Sequence, residues 1–153
     1  MQFHKKAFTM IELILVIVIL GVLAAVALPK LSATRDDAYT AKLASNIMTG
    51  ASEIASYAMA NEQIDSNITL MSNAIANLSS VGDATVIPNK AVIHCGNIND
   101  CIELSIDSNT TTGVDTLITT FGNAGTDTRC ASLQSAINAN LYPMKLRGSN
   151  AKF

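Results

Sequence analysis

The sequence predicts an α+β fold in which one long N-terminal helix packs against a small antiparallel β-sheet. Residues 13–28 carry no charged side chain, which favours an apolar helix. Apolar residues then recur at steps of three and four between positions 43 and 58, the spacing of one helix face. Between 101 and 107 they alternate with polar residues, the spacing of a half-buried strand. A helix stripe and a one-sided sheet can bury each other's apolar faces.

The composition leaves room for one globular head beyond the first helix. The 153 residues are 49% hydrophobic and only 14% charged, with a mean hydropathy of +0.32. The apolar excess lies in residues 8–28. A formal net charge of −2 offers no broad basic field for nucleic acid. We therefore interpret the basic cluster Lys145, Arg147 and Lys152 as a solvated tail, with DNA binding as the alternative.

Residues 8–28 are predicted to cross a membrane once. As a helix they would measure about 30 Å, the thickness of the hydrocarbon core of a bilayer. Lys5 and Lys6 before the span favour a cytoplasmic N-terminus and an exported remainder. The alternative is a secretory signal peptide cut after Ala27, but a carboxylate at Glu12 is atypical of such a signal.

Residues 7–29 carry a family resemblance. The runs AFTMIELILV at 7–16 and GVLAAVALP at 21–29 closely resemble the N-terminal segment of type IV pilins and type II secretion pseudopilins. The resemblance implies that a prepilin peptidase cuts between Ala7 and Phe8 and methylates the new amine of Phe8. Most family members have Gly before the cut, where this chain has the small residue Ala7. The predicted parts are a leader at 1–7, a transmembrane and assembly helix at 8–29, and a periplasmic head at 30–153 that includes the outer half of the long helix.

Glu12 is predicted to be an assembly residue. A carboxylate inside a membrane helix is costly unless it is paired or functional. After cleavage, the amine of Phe8 lies four residues before Glu12, about one helical turn away on the same side. The resemblance implies that Glu12 meets the Phe8 amine of a neighbouring subunit in a filament. The alternative is a carboxylate that snorkels to the interface or is protonated.

Gly21 and Pro29 are predicted to soften this helix. Gly costs about 1 kcal/mol relative to Ala in a helix, and Pro removes a backbone donor. In related filaments this stretch loses helical order on assembly, and the resemblance implies the same here. The alternative is a kink where the helix leaves the membrane.

The outer half of the helix is predicted from residue 30 to about residue 60. Its apolar stripe consists of Leu43, Ile47, Ala51, Ile54 and Ala58. Four neighbours are expected to widen the stripe: Ala44, Met48, Ala55 and Met59. Glu53 is placed among the solvated or subunit-facing residues. A short second helix is expected between 70 and 78, capped by Asn67.

Three strands are predicted next, at residues 91–95, 101–107 and 114–121. Turn-forming residues at 96–100 and 108–113 separate them, so an antiparallel meander is the economical arrangement. Asp127 and Thr128 are typical of a cap before a last helix, which would run from Cys130 to about Asn140.

Three cysteines lie beyond the span, and an oxidising compartment permits one disulfide among them. The sequence leaves three pairings open: Cys95 with Cys101, Cys95 with Cys130, and Cys101 with Cys130. Related pilins often bracket the C-terminal region with a bridge, so the resemblance favours Cys130 as one partner. We expect Cys101 to pair with Cys130, with Cys95 as the alternative partner.

No cofactor and no catalytic site is predicted. His94 beside Cys95 lacks the paired ligands of a zinc site. Major secretion pseudopilins bind calcium in their heads, and the loop at 107–113 has oxygen-bearing residues, so calcium is kept as an alternative. An ordinary hairpin turn also explains the loop, because Gly113 comes one residue late for an EF-hand. The sequence pairs no nucleophile with a base, which argues against an enzyme.

The resemblance implies a structural subunit of a type IV pilus or type II secretion pseudopilus in the bacterial inner membrane. Its partners would be other copies of the chain, membrane lipid, prepilin peptidase, an assembly ATPase and an inner-membrane platform protein. The short head favours a pseudopilus or a minor pilin. The rival interpretation is a single-span membrane protein that does not polymerise and whose head binds a ligand or partner.

Overall fold

The long helix α1, Met10–Asn61, is the first element of the computed structural model, which describes residues 8–109 and 114–147. The chain divides into two units, Met1–Asp37 and Ala38–Phe153, and α1 contributes to both. In the first unit α1 runs through Gly21 and Pro29 without a break. An 18-residue window of this helix has a mean hydropathy of 3.1, so by length and composition it can cross a membrane.

The second unit, called the globular unit below, contains a five-stranded antiparallel sheet. Strands adjacent in the chain are adjacent in the sheet, in the order β1 Ala84–Ile87, β2 Lys90–Cys95, β3 Ile98–Asn109, β4 Val114–Phe121 and β5 Met144–Arg147. The unit also holds three short helices and a 3₁₀ turn: α2 Ile68–Met71, α3 Asn73–Ser80, α4 Thr128–Ala136 and Ala139–Leu141. The predicted α+β architecture, a long helix followed by an antiparallel sheet, is confirmed.

The predicted stripe on α1 forms part of the core. Its five residues are each 2% exposed or less, and they join inward side chains of α3, the sheet and α4 in one hydrophobic cluster. Of the four residues expected to widen the stripe, two face the core and two do not. Ala44 is buried and Ala55 packs against the core, but Met48 and Met59 are 45% and 67% exposed. At about 100° per residue they point roughly 100° and 120° away from Ile47, the centre of the stripe, and so fall outside the buried arc.

The sheet has two more strands than predicted. β1 and β5 contain four residues each, too few to show a clear alternation. The predicted solvated tail is therefore wrong for residues 144–147, which form β5, although only Leu146 of this strand is buried. β3 also begins earlier than predicted, at Ile98, because a tight turn with Gly96 at φ 63° connects it to β2.

The predicted second helix is divided at Ser72. Asn67 caps α2 as predicted, since its Oδ1 accepts the Thr69 N–H at 3.1 Å. Ser72 then ends α2 and caps α3, with its Oγ accepting the Ile75 N–H at 3.1 Å. Asp127 caps α4 as predicted, but α4 ends at Ala136 rather than near residue 140.

Glu53 on α1 contacts the start of α3 instead of being only solvated. Its Oε2 accepts the Ala74 N–H at 2.9 Å and the Ser72 hydroxyl at 2.7 Å. These hydrogen bonds, with that from Ala74 the largest cause, hold the pKa of Glu53 below its usual value. One turn away, Gly50 allows close packing, because a Cβ at this position would lie 2.7 Å from Cδ1 of Ile75. The missing side chain at Gly50 therefore lets α1 and α3 approach.

A disulfide joins Cys101 on β3 to Cys130 on α4, so the expected pairing is confirmed. Gln134, one turn after Cys130, donates its amide hydrogens to the carbonyl oxygens of Cys101 and Gly122, both at 2.8 Å. Cys95 is buried and lies outside the bridge. The bridge and the Gln134 amide together fix α4 to the end of the central strands.

Candidate assembly site at the start of the long helix

Thr9 and Glu12 form a capping box at the first turn of α1. The Thr9 N–H and the Thr9 hydroxyl both donate to Oε2 of Glu12 at 2.8 Å. The Glu12 N–H donates to Oγ1 of Thr9 at 3.3 Å. Side chain and backbone thus satisfy each other's hydrogen-bonding groups across three residues, which fixes where the helix begins.

Sequence reasoning missed this local partner of Glu12. The signal was present, because Thr-x-x-Glu before an apolar run is the sequence pattern of a capping box. The box shows that Glu12 has a role within its own chain.

The box determines which part of the carboxylate remains available. Both Thr9 donors go to Oε2, and within the described residues Oε1 accepts no hydrogen bond. Phe8 is 88% exposed, directly before the box. One carboxylate oxygen is therefore held in place while the other stays open beside Phe8, the predicted new N-terminus. Ala7 and the rest of the predicted leader, 1–7, lie outside the described residues.

The apolar surface that follows is exposed throughout the first unit. The described side chains from Phe8 to Leu28 are all exposed, and many are large, including Ile11, Leu15 and Val22. A Cβ at Gly21 would meet nothing within 4 Å. Packing within one chain therefore does not require glycine here. The softening at Gly21 and Pro29 stays a prediction about the assembled filament.

The structure also shows the surroundings of the residues considered as metal ligands. His94 has both ring nitrogens engaged, Nε2 with the Thr85 hydroxyl at 2.7 Å and Nδ1 with the Asn99 carbonyl oxygen. In the described part of the chain, no group of three or more His, Cys, Asp and Glu side chains is placed to hold a metal ion. The candidate calcium loop includes residues 110–113, which lie outside the described ranges, so calcium stays an untested alternative.

Arg147 has an internal partner that the sequence did not reveal. Its Nε donates to Oδ2 of Asp115 at 2.8 Å, and its Nη1 donates to the carbonyl oxygen of Glu62 at 2.8 Å. The Asp115 side chain is only 4% exposed, whereas that of Arg147 is 45% exposed. Arg147 thus links β4 and β5 to the end of α1. Lys152, the third member of the predicted basic cluster, lies outside the described residues.

Comparison with known proteins identifies the N-terminal segment. The model of the prokaryotic N-terminal methylation motif, which is the prepilin cleavage motif of type IV pilins and pseudopilins, matches residues 3–28. No curated protein and no solved structure matches the chain. The matched family is a structural pilin-type motif and not an enzyme class. Together with the apolar helix it indicates a membrane-anchored substrate of prepilin peptidase.

Proposed function

We propose that this chain, which carries the prokaryotic N-terminal methylation motif, is a structural subunit of a type IV pilus or type II secretion pseudopilus. Prepilin peptidase cuts between Ala7 and Phe8, and the processed subunit polymerises through its N-terminal helix. In this proposal the chain crosses the bacterial inner membrane once, with a cytoplasmic N-terminus and a periplasmic globular unit. The filament is periplasmic or extends to the cell surface.

The observation that carries the proposal is the Glu12 carboxylate held at the start of an otherwise uncharged apolar stretch. Thr9 fixes one oxygen, and the other remains open to a cation. Cleavage creates a cation at Phe8 on every subunit. A neighbour's Phe8 amine is therefore a suitable partner, because a carboxylate within the membrane needs a paired cation and every processed subunit carries this amine one turn before its own Glu12.

Polymerisation through this helix also explains its exposed surface. A single chain leaves the large apolar side chains of residues 8–28 uncovered. Lipid covers them while the subunit waits in the membrane, and helices of neighbouring subunits cover them in a filament. Extraction from lipid requires energy and a scaffold, so an assembly ATPase and a polytopic platform protein are the partners that this function needs.

The size of the globular unit favours a pseudopilus or a minor pilin over a major surface pilin. The segment bracketed by Cys101 and Cys130 consists mostly of β3 and β4. An extended variable region, which surface pilins present to the outside, is not evident in the sequence. Sheared filaments outside the cell would favour the surface pilus instead.

The first test is the mass of the N-terminal peptide of the chain purified from its host membrane. A peptide that begins with N-methylated Phe8 is expected. A peptide that begins at Met1 would refute the proposal and favour the rival single-span protein that does not polymerise.

The second test separates the charge of Glu12 from its capping role. Glu12→Gln keeps an acceptor for Thr9, since Gln also serves in a capping box, but it removes the charge. We expect sheared filament to fall to background while cleavage at Phe8 continues. Normal filament amounts from this variant would show that the charge is not an assembly contact.

The matched controls are at Thr9. Thr9→Ser retains the hydroxyl and is expected to assemble as the wild type does. Thr9→Val removes the hydroxyl but leaves the Glu12 charge, so it is expected to assemble less well and still better than Glu12→Gln. If Thr9→Val and Glu12→Gln were equally defective, capping and not charge would be the main role of Glu12.

A further inference from the structure

Asn67 begins a sequence pattern that the assembly function leaves unused. Asn-x-Ser/Thr, with any residue but Pro in the middle, is the acceptor pattern for glycosylation of an asparagine amide in an exported protein. It occurs in this chain at Asn67-Ile68-Thr69, Asn77-Leu78-Ser79 and Asn109-Thr110-Thr111. The third pattern extends outside the described residues, so the informative comparison is between Asn67 and Asn77.

At Asn67 the amide and the hydroxyl of the pattern already meet. Oδ1 of Asn67 accepts the Thr69 N–H at 3.1 Å and the Thr69 hydroxyl at 2.7 Å. Asp65 steadies the turn from the other side, because its Oδ1 accepts the Asn67 N–H at 2.7 Å. The backbone of Asn67 is extended, with φ −95° and ψ 102°. The acceptor is therefore held in a tight turn between α1 and α2.

The nitrogen of this amide is available for reaction. Both Thr69 donors go to Oδ1, and among the described residues Nδ2 makes no hydrogen bond. Asn67 and the preceding Ser66 are exposed. A modification at Nδ2 would leave Oδ1 free to go on capping α2.

Asn77 carries the same pattern in a different backbone. It lies inside α3, where residues two positions apart do not face each other, so the Ser79 hydroxyl cannot reach the Asn77 amide. The backbone carbonyl oxygen of Asn77 accepts the Ser80 hydroxyl at 2.8 Å and the Val81 N–H at 3.2 Å, so this residue is held in the helical conformation. The two patterns thus differ in geometry and not in exposure, since Asn77 is exposed as well.

We propose that Asn67 is an asparagine-glycosylation site that accepts an oligosaccharide from a lipid-pyrophosphate donor on the periplasmic side of the membrane. The inference rests on the proposed export of the globular unit. Nδ2 attacks the anomeric carbon of the first sugar, and a carbon–nitrogen bond forms. The bond between that carbon and the pyrophosphate oxygen breaks, the lipid pyrophosphate leaves with the electron pair, and one Nδ2 proton passes to a carboxylate of the transferase.

An attached glycan would lie beside the exposed side chain of Leu70, whose N–H donates to the backbone carbonyl oxygen of Asn67 at 3.0 Å. Leu70, three residues after Asn67, is 64% exposed. It borders a groove of about 350 Å³ that is lined mainly by polar side chains, among them Ser52, Glu53 and Ser56. A bulky hydrophilic group at Asn67 would cover part of the exposed Leu70 side chain.

The test is mass mapping of the full-length chain purified from its native host. The peptide that contains Asn67 is expected to carry an oligosaccharide mass, and the peptide that contains Asn77 is expected to be unmodified. Asn67→Asp removes the acceptor nitrogen while keeping a good helix cap, so it is expected to lose the added mass without loss of folding. Asn77→Asp is the matched control and is expected to keep it.

Two variants of Thr69 test the turn geometry. Thr69→Ser retains the hydroxyl and is expected to remain modified, whereas Thr69→Val keeps the shape and is expected to lose the glycan. An unmodified Asn67 in the wild-type chain, or a glycan on Asn77, would overturn the inference. The N-terminal peptide of the same digest is read separately: unmodified Asn67 with methylated Phe8 overturns only the glycosylation site, while an N-terminus at Met1 overturns the assembly function.

Discussion

Replacing Arg147 with Met is expected to destabilise the globular unit by about 2–3 kcal/mol. The cost comes from Asp115, whose side chain is only 4% exposed and would lose its cation. Breaking a buried ion pair typically costs about 3–5 kcal/mol, and an unsatisfied buried polar group about 1–3 kcal/mol. Arg147 itself is 45% exposed, so water can partly reach Asp115 after truncation, and we expect a cost in the upper part of the lower range. The Glu62 carbonyl, at an exposed position, simply takes water in place of Arg147.

Thermal unfolding of the full chain in detergent, followed by near-ultraviolet circular dichroism, measures this cost. For a unit of this size a loss of 2–3 kcal/mol corresponds to a Tm lower by roughly 10 °C. Lys145→Met on the same strand is the matched control and is expected to shift the free energy of unfolding by less than about 0.5 kcal/mol, because Lys145 is exposed.

A double variant distinguishes the ion pair from general disturbance of β5. Asp115→Leu combined with Arg147→Met removes both charges, so most of the lost stability should return. An Arg147→Met Tm equal to that of Lys145→Met would refute the reasoning, because it would mean that Asp115 does not depend on its cation.

Three further predictions concern the globular unit. Hydrogen bonds to the ionised Glu53 lower its pKa in the folded chain, so ionised Glu53 stabilises the fold above the usual pKa of 4.5. This stabilisation is lost as pH falls through the lower folded pKa. Glu53→Gln should therefore flatten the decline of Tm below about pH 4.5. Gly50→Val should lower the free energy of unfolding by about 2 kcal/mol in a denaturant titration, because its side chain overlaps buried Ile75, whereas Gly21→Ala should not destabilise the chain. Cys101→Ser opens a loop with a sequence separation of 29 and should cost about 3.5 kcal/mol, measured as a lower denaturation midpoint than the non-reduced wild type.

Regular periodicity explains what the sequence could predict of the fold. The stripe centred on Ile47 repeats along α1, and Ile102, Leu104 and Ile106 alternate along β3, so both elements and their buried faces were predictable. The four-residue strands β1 and β5 were not, because so short a segment cannot show a period. The break between α2 and α3 at Ser72 was not predictable either. Ser72 ends one helix and caps the next, so the spacing of the apolar residues continues across the break.

The contacts at the candidate sites were predictable only where they join residues close in the sequence. The Thr9 and Glu12 capping box depends on residues three apart and could have been recognised from the sequence. The contact of Arg147 with Asp115 spans 32 residues and depends on the pairing of β4 with β5, which short-range patterns do not encode. The role of Glu53 depends in the same way on where α3 begins relative to α1.

The capping box also bears on the reversibility of assembly. In the proposed filament, a neighbour's amine approaches Oε1 while Thr9 retains Oε2. Entry into the filament then adds a bond to Glu12 without breaking one, and departure removes only that added bond. The first helical turn stays intact through both steps, so a subunit released into the membrane is already in the conformation from which it can be used again.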